Sequence, residues 1–86
     1  MTRLWGQGAP LTVTVNDQAR PLRFVWEGHP HTISRIIKQW EVDTDWWETS
    51  GRIWRAYYAA CTEDGLLCVF YKDLLSGAWY LSKLYD

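Results

Sequence analysis

The sequence has little of what identifies a membrane-spanning, secreted or strongly basic protein. No apolar run approaches the roughly 20 residues that a membrane span requires, and the N-terminal stretch MTRLWGQGAP lacks the apolar core of a signal peptide. We therefore expect a cytoplasmic protein whose two cysteines, Cys61 and Cys68, stay reduced. The formal net charge of −1 excludes a generally basic nucleic-acid-binding protein and leaves only a local basic patch.

The spacing of cysteine and histidine does not indicate a metal site. Structural zinc sites place their cysteines two to four residues apart. Here six residues separate Cys61 from Cys68, and one residue separates His29 from His31. We expect the thiols to pack as small apolar groups and the histidines to lie in a turn.

Catalytic motifs are also lacking. Asp43, Asp45 and Glu48 are the best candidates for acid–base carboxylates, but no nucleophile, glycine-rich phosphate loop or metal-ligand pattern accompanies them. We therefore expect solvated acidic side chains in a loop, and a protein that is not an enzyme and needs no cofactor.

Aromatic residues, in contrast, are abundant. The 86 residues include seven tryptophans, five tyrosines and two phenylalanines. Each such side chain can bury about 150–250 Å², so a chain of this length can form one core without a metal or disulfide. Alternation predicts that five of the rings face this core: Trp26, Trp40, Trp54, Phe70 and Trp79.

Apolar and polar residues alternate along much of the chain, which predicts an all-β fold. LTVTV and RPLRFVW alternate with a period of two and are separated by turn residues, and EGHP follows as the next turn. Residues 52–85 predict a three-stranded antiparallel meander with turns at Asp64-Gly65 and near Ser76-Gly77. With about five to six strands, the chain is expected to form a small SH3-like or related barrel, or a curled antiparallel sheet.

The domain organisation is expected to be simple. Residues 1–10 contain two glycines and one proline and are predicted to form an N-terminal arm, either flexible or docked through Trp5. Residues 11–86 are predicted to form a single all-β domain.

One segment fits two structures. In residues 31–42, apolar residues recur at helical spacing, yet many of them are β-branched and favour a strand. We predict a strand with a bend or bulge near Arg35–Ile36 and keep a short helix as the alternative.

The Asp64-Gly65 turn also predicts a register. A two-residue type I′ loop would pair residue 63 with 66, and hence Cys61 with Cys68. The two thiols would then lie within disulfide range, and we expect them to remain unbridged because of the reducing compartment.

The candidate binding residues lie in the stretch DTDWWETSGRIWRAYY. Adjacent side chains of an extended segment point to opposite faces, so Trp46 and Trp47 are not both expected in the core. Arg52, Arg55 and Tyr57 follow closely and can add positive charge and a further ring, as surfaces that stack on nucleobases or anchor a protein partner do.

The arginines allow two interpretations. They can form one basic face, or they can be solvated and pair with Asp43, Asp45 and Glu48. The candidates for the basic face are Arg20, Arg23, Arg35, Arg52 and Arg55.

Several of these features occur together in one known family. Trp40, Asp45-Trp46-Trp47, Trp54, Asp64-Gly65 and the closing SGAWYLSKLYD stand in the order W, DWW, W, DG and SGxWxLxxxYD. Over roughly residues 20–86 the chain resembles a small, uncharacterised bacterial domain. That domain occurs alone and at the C-terminal end of ImuB-type proteins, which are Y-family-polymerase-like proteins of the damage-inducible mutagenesis machinery.

The resemblance implies an accessory role in bacterial DNA-damage tolerance and translesion synthesis, through contact with a protein partner, single-stranded DNA or both. It supplies no catalytic residues. A protein–protein adaptor unrelated to DNA, which uses an aromatic surface or a strand edge, is the alternative.

Overall fold

Six antiparallel strands close into a barrel. The computed structural model describes residues 2–44 and 52–85. Each strand pairs with its neighbour in the chain, and β1 also pairs with β6. The all-β prediction of a small barrel is therefore confirmed. The strands are β1 (Thr2–Val15), β2 (Pro21–Trp26), β3 (His29–Asp43), β4 (Trp54–Thr62), β5 (Leu67–Asp73) and β6 (Trp79–Tyr85).

The two longest strands, β1 and β3, each pair with one neighbouring strand along their first part and with another along their second part. In β1, residues 2–11 lie beside β6 and residues 12–15 pair with β2. In β3, residues 29–32 are opposite β2, and the remainder is opposite β4. Residues 2–10, expected as an arm, thus form the first part of β1, because residues 2–4 and 9–10 pair with β6.

Strand β3 is bent by two bulges. Its register against β4 shifts between Ile33 and Arg35 and again between Ile36 and Lys38. The predicted bent strand is confirmed and the helical alternative is wrong, since the β-branched residues of this segment favour extended backbone. None of the described residues is helical, so this part of the chain contains no helix long and apolar enough to cross a membrane.

The C-terminal meander is confirmed, but the predicted register of its first hairpin is wrong. Cys61 is opposite Leu67, and Cys68 is opposite Ala60, so the two free thiols point to opposite faces of the sheet. The Thr62 amide donates to the Leu66 carbonyl (2.9 Å), which makes the loop one residue longer than a two-residue turn.

Side-chain and long-range hydrogen bonds explain the longer loop. The Thr62 hydroxyl donates to Asp64 and accepts from the Leu66 amide, and the Glu63 amide donates to the Thr32 carbonyl.

In the two-residue turn between β2 and β3, both central residues have positive φ: 51° at Glu27 and 79° at Gly28. This turn is shorter than the predicted EGHP turn because β3 already begins at His29.

The core is built around Phe70. Its ring centroid lies 5.8 Å from Phe24, 5.5 Å from Tyr58 and 5.9 Å from Trp79. Trp26 and Trp79 pack against this core, as predicted. The prediction is wrong for Trp40, which is 37% exposed, and for Trp54, which is half-buried and lies outside this core cluster. The buried residues that form the core are Ala9, Phe24, Ala60, Cys68, Phe70, Leu81 and Leu84.

The buried thiol of Cys68 should make stability depend on alkaline pH. Burial raises its pKa to about 12, with smaller contributions from Cys61 and Asp64. In the unfolded chain a thiol ionises near pH 8.5, so between about pH 9 and 12 the unfolded state releases a proton that the folded state retains. The free energy of unfolding should fall over this window by at most about 1.4 kcal/mol per pH unit from this group.

Urea unfolding at pH 7 and about pH 10.5 checks this dependence. Cys68→Ala should lose less stability between the two pH values than the wild-type protein, although a cavity lowers its stability at both. Cys61→Ala is the matched control and should keep the wild-type loss. Equal losses in all three proteins would contradict the role of Cys68.

Candidate binding surface on the outer face of the sheet

Strands β3 to β6 carry a row of four aromatic side chains on the face opposite the core, which we call the outer face. Trp40 pairs with Tyr57, Tyr57 with Tyr71, and Tyr71 with Tyr80. The successive ring centroids are 5.3, 5.0 and 5.4 Å apart. These distances are typical of interacting aromatic pairs, so the four rings form one continuous aromatic row.

The aromatic row is more buried near β1, where Tyr71 is buried and the terminal Tyr80 is half-buried, than at β3. Tyr71 is only 3% exposed. Gly8 of β1 lies against this end: a Cβ atom at Gly8 would be 2.5 Å from the Tyr71 Oη and 2.7 Å from the Tyr80 Cβ. At the other end, Trp40 is 37% exposed and stacks on Tyr57 with an interplanar angle of 6°. The row is therefore covered near β1 and open at β3.

Arg55 lies directly on the aromatic row. Its guanidinium carbon is 4.5 Å from the centroid of the Tyr71 ring, and Nη1 donates to the Tyr57 Oη at 3.1 Å. Partial burial acts to lower the pKa of Arg55, but the hydrogen bond to Tyr57 and the nearby Tyr71 and Asp73 outweigh it, so the pKa is raised. The predicted binding residues Arg55 and Tyr57 are thus in contact, and Arg55 keeps its positive charge.

Three further cations share the outer face. The register places Arg35, Lys38 and Lys83 opposite the outward-facing Cys61, Ala59 and Val69, and all three cationic residues are exposed. The Lys38 Nζ lies 5.5 Å from the centroid of the Trp40 ring.

Acidic residues are scarce on the same face. Among the described residues that the register places there, the only acid is Asp73, which pairs with Arg55. The outer face therefore carries more positive than negative charge, although the chain as a whole has a net charge of −1.

Arg52 lies apart from this surface. Its Nε and Nη2 donate to the Asp43 carboxylate at 3.2 and 3.0 Å, and its guanidinium lies 4.6 Å from the centroid of the Trp54 ring. Trp54 and Arg55 are consecutive in β4 and point to opposite faces. Arg52 therefore follows the second interpretation of the arginines, a solvent-accessible ion pair.

The five arginines do not form one basic face. Arg20 borders a depression that Gln39 and Tyr58 also line, and Arg23 lies on β2. Only Arg35 and Arg55 share the outer face.

Trp46 and Trp47 lie outside the described residues. Trp40 and Lys38 were missed as site residues because a bulge turns them outward, and the one available signal was the ambiguous pattern of residues 31–42.

A pocket of about 320 Å³ lies between β3 and β4 and is lined by residues of both faces of the sheet: Gln39, Trp40, Glu41, Ala56, Tyr57 and Tyr58. A second pocket of about 170 Å³ shares Gln39 and Tyr58. Trp54 Nε1 donates to Glu41 at 3.0 Å. No cluster of three potential metal ligands occurs in residues 2–44 and 52–85.

No protein-family model, curated protein or solved structure matches the chain. The outer face combines the exposed Trp40 ring with four cationic side chains.

Gly8→Ala should destabilise the protein by disrupting the covered end of the aromatic row. Gly8 has a φ of +78°, and the added methyl group would also overlap Tyr71 and Tyr80. Gly28→Ala is the matched control, because Gly28 has a φ of +79° but no atom within 4 Å of an added Cβ.

Urea unfolding should show a loss of about 1 kcal/mol for Gly28→Ala from backbone strain. Gly8→Ala should lose a further 1–3 kcal/mol or so from the steric overlap. Equal losses in the two variants would mean that Gly8 of β1 is not in close contact with Tyr71 and Tyr80.

Proposed function

We propose that this chain is a non-catalytic binding module that engages its partner through the outer face and serves as an accessory factor in bacterial DNA-damage tolerance. One observation carries the proposal: the exposed Trp40 stacks on Tyr57 while the cations of Lys38 and Arg55 lie against the same aromatic row.

Such a surface has the composition of a binding site. Tryptophan, tyrosine and arginine are the residues most enriched among those that dominate binding energy at interfaces. An exposed tryptophan held in place by a stacked neighbour also loses little side-chain freedom when it binds. Trp40 and Tyr57 are therefore suited to act as anchors, and Arg55 adds charge beside them.

The link to DNA damage is supported by the resemblance to the domain found at the end of ImuB-type proteins. Trp40 is the first residue of the pattern that carries this resemblance, and it lies at the open end of the aromatic row. The partner is proposed to be a protein of the mutagenesis machinery, DNA or both.

A second candidate function is a protein–protein adaptor unrelated to DNA. The exposed Leu67 favours it, because this residue adds apolar area to the outer face next to Cys61. Strand addition at the edge is less favourable. Beyond Thr32, β3 pairs only with β4 among the described strands, so its other side is an edge. Two bulges and the exposed Lys38 make this edge a poor template for pairing with a further strand.

Damage-induced mutagenesis in the bacterium that carries the gene tests the proposed function. Deletion of the gene should lower the frequency of ultraviolet-induced mutation. A chromosomal Trp40→Ala, Arg55→Gln double variant should lower it to a similar extent at unchanged protein level, because it removes the anchor and the adjacent charge. Arg23→Gln, which removes an exposed charge outside the outer face, should behave as the wild type.

Two results would contradict the proposal in different ways. If deletion changes neither induced mutation nor survival after damage, the role in damage tolerance is wrong. If deletion has an effect but the double variant has none, the outer face is not the binding surface.

A further inference from the structure

We infer that the outer face binds single-stranded DNA, with bases on the open end of the aromatic row and phosphates on the surrounding cations. This inference rests on the proposed binding role of the outer face and specifies its ligand. Three features support it: the accessibility of the Trp40 ring, the position of the cations around it and the short side chains beside the row.

The open end of the row is suited to base stacking. Tyr57 supports one side of the Trp40 ring in a parallel stack, and 37% of Trp40 is exposed. Every nucleobase has an aromatic face, so a base can extend this stack without sequence-specific hydrogen bonds. Lys38, 5.5 Å from the centroid of the Trp40 ring, can reach the phosphate of a base stacked there.

The cations surround the aromatic row. In β3, Lys38 lies two residues from Trp40, and Arg35 follows on the same face. Arg55 lies above Tyr71. These three cations can neutralise consecutive phosphates of a single strand, and among the described residues Asp73 is the one acid that the register places on this face.

A line of short apolar side chains lies beside the row. Ala59 and Val69 are cross-strand partners on the outer face, and the register places Lys38 and Lys83 at the two ends of their line. At about 4.8 Å between neighbouring strands, the line from β3 to β6 is roughly 14 Å long. The short side chains between the two lysines leave room for a short, extended stretch of the negatively charged DNA backbone.

Single-stranded DNA fits this surface better than duplex DNA or protein. In a duplex the bases are stacked on each other and cannot reach Trp40. A protein partner would use the apolar area around Leu67 and would not require four cations on one face.

Fluorescence anisotropy with a labelled 12-nucleotide oligo-dT, and with a duplex of the same length, tests the inference in vitro. The single strand should bind more tightly than the duplex. With three phosphates neutralised, the slope of log affinity against log salt should be about −2, which corresponds to a roughly 20-fold loss between 50 and 200 mM salt. Arg55→Gln should reduce the slope by about 0.7, whereas the control Arg23→Gln should keep it.

Variants of Trp40 test the stacking. Trp40→Ala should weaken binding roughly 5- to 150-fold, the range expected for one stacked base. Trp40→Phe should retain most of the affinity, and Trp40→Leu, which keeps apolar bulk without a ring, should lose it. Thermal unfolding should show that all three variants are folded at the assay temperature.

Several outcomes would overturn the inference. These are no binding of oligo-dT at low salt, equal affinity for the duplex, tighter binding of the matching RNA, or equal effects of Arg55→Gln and Arg23→Gln. If oligo-dT fails to bind but the double variant still lowers induced mutation, the outer face serves a protein partner. In that case the proposed function stands and the DNA ligand is wrong.

Discussion

Ile37 is the residue at the second bulge of β3, and its position decides which side chains of this strand face the core. Ile36 is opposite the buried Ala60, whereas Lys38 is opposite the outward-facing Ala59. The extra residue between them reverses the alternation for the remainder of the strand. Trp40 therefore lies on the outer face beside Tyr57 instead of entering the core, and the open end of the aromatic row exists because of this bulge.

In the meander, adjacent aromatic residues supply the rings of the outer face, and a register shift between β5 and β6 lies between Leu81 and Lys83. Three consecutive pairs, one in each of β4, β5 and β6, send one ring to each side of the sheet. The inner ring of each pair contacts the core, and the outer ring joins the aromatic row. One sheet thus has aromatic layers on both faces, and a tyrosine is the outer member of each pair. The pairs are Tyr57-Tyr58, Phe70-Tyr71 and Trp79-Tyr80.

Much of this architecture could be predicted from local patterns, and what could not depends on contacts distant in the chain. Alternation and turn residues predicted the all-β barrel and the meander, and β-branched residues predicted the bent β3. The register at Asp64-Gly65 was not predictable, because the longer loop is stabilised by the carbonyl of Thr32 from another strand. To predict the outward orientation of Trp40, the bulge would have had to be located to within one residue. Of the predicted site, Arg55 and Tyr57 are together, whereas Arg52 is paired with Asp43 on the other side.

Stability and binding make opposite demands on the aromatic row, and the structure separates them along its length. Exposed rings contribute little to folding, whereas buried rings are unavailable to a ligand. At the β1 end, Gly8 permits a close approach that buries Tyr71, and Arg55 covers the ring further while remaining charged. The covered rings hold Tyr57 in place, and Tyr57 in turn supports Trp40. Of the four rings, Tyr71 is buried, Tyr57 and Tyr80 are half-buried, and the Trp40 indole at the β3 end is the most accessible to a partner.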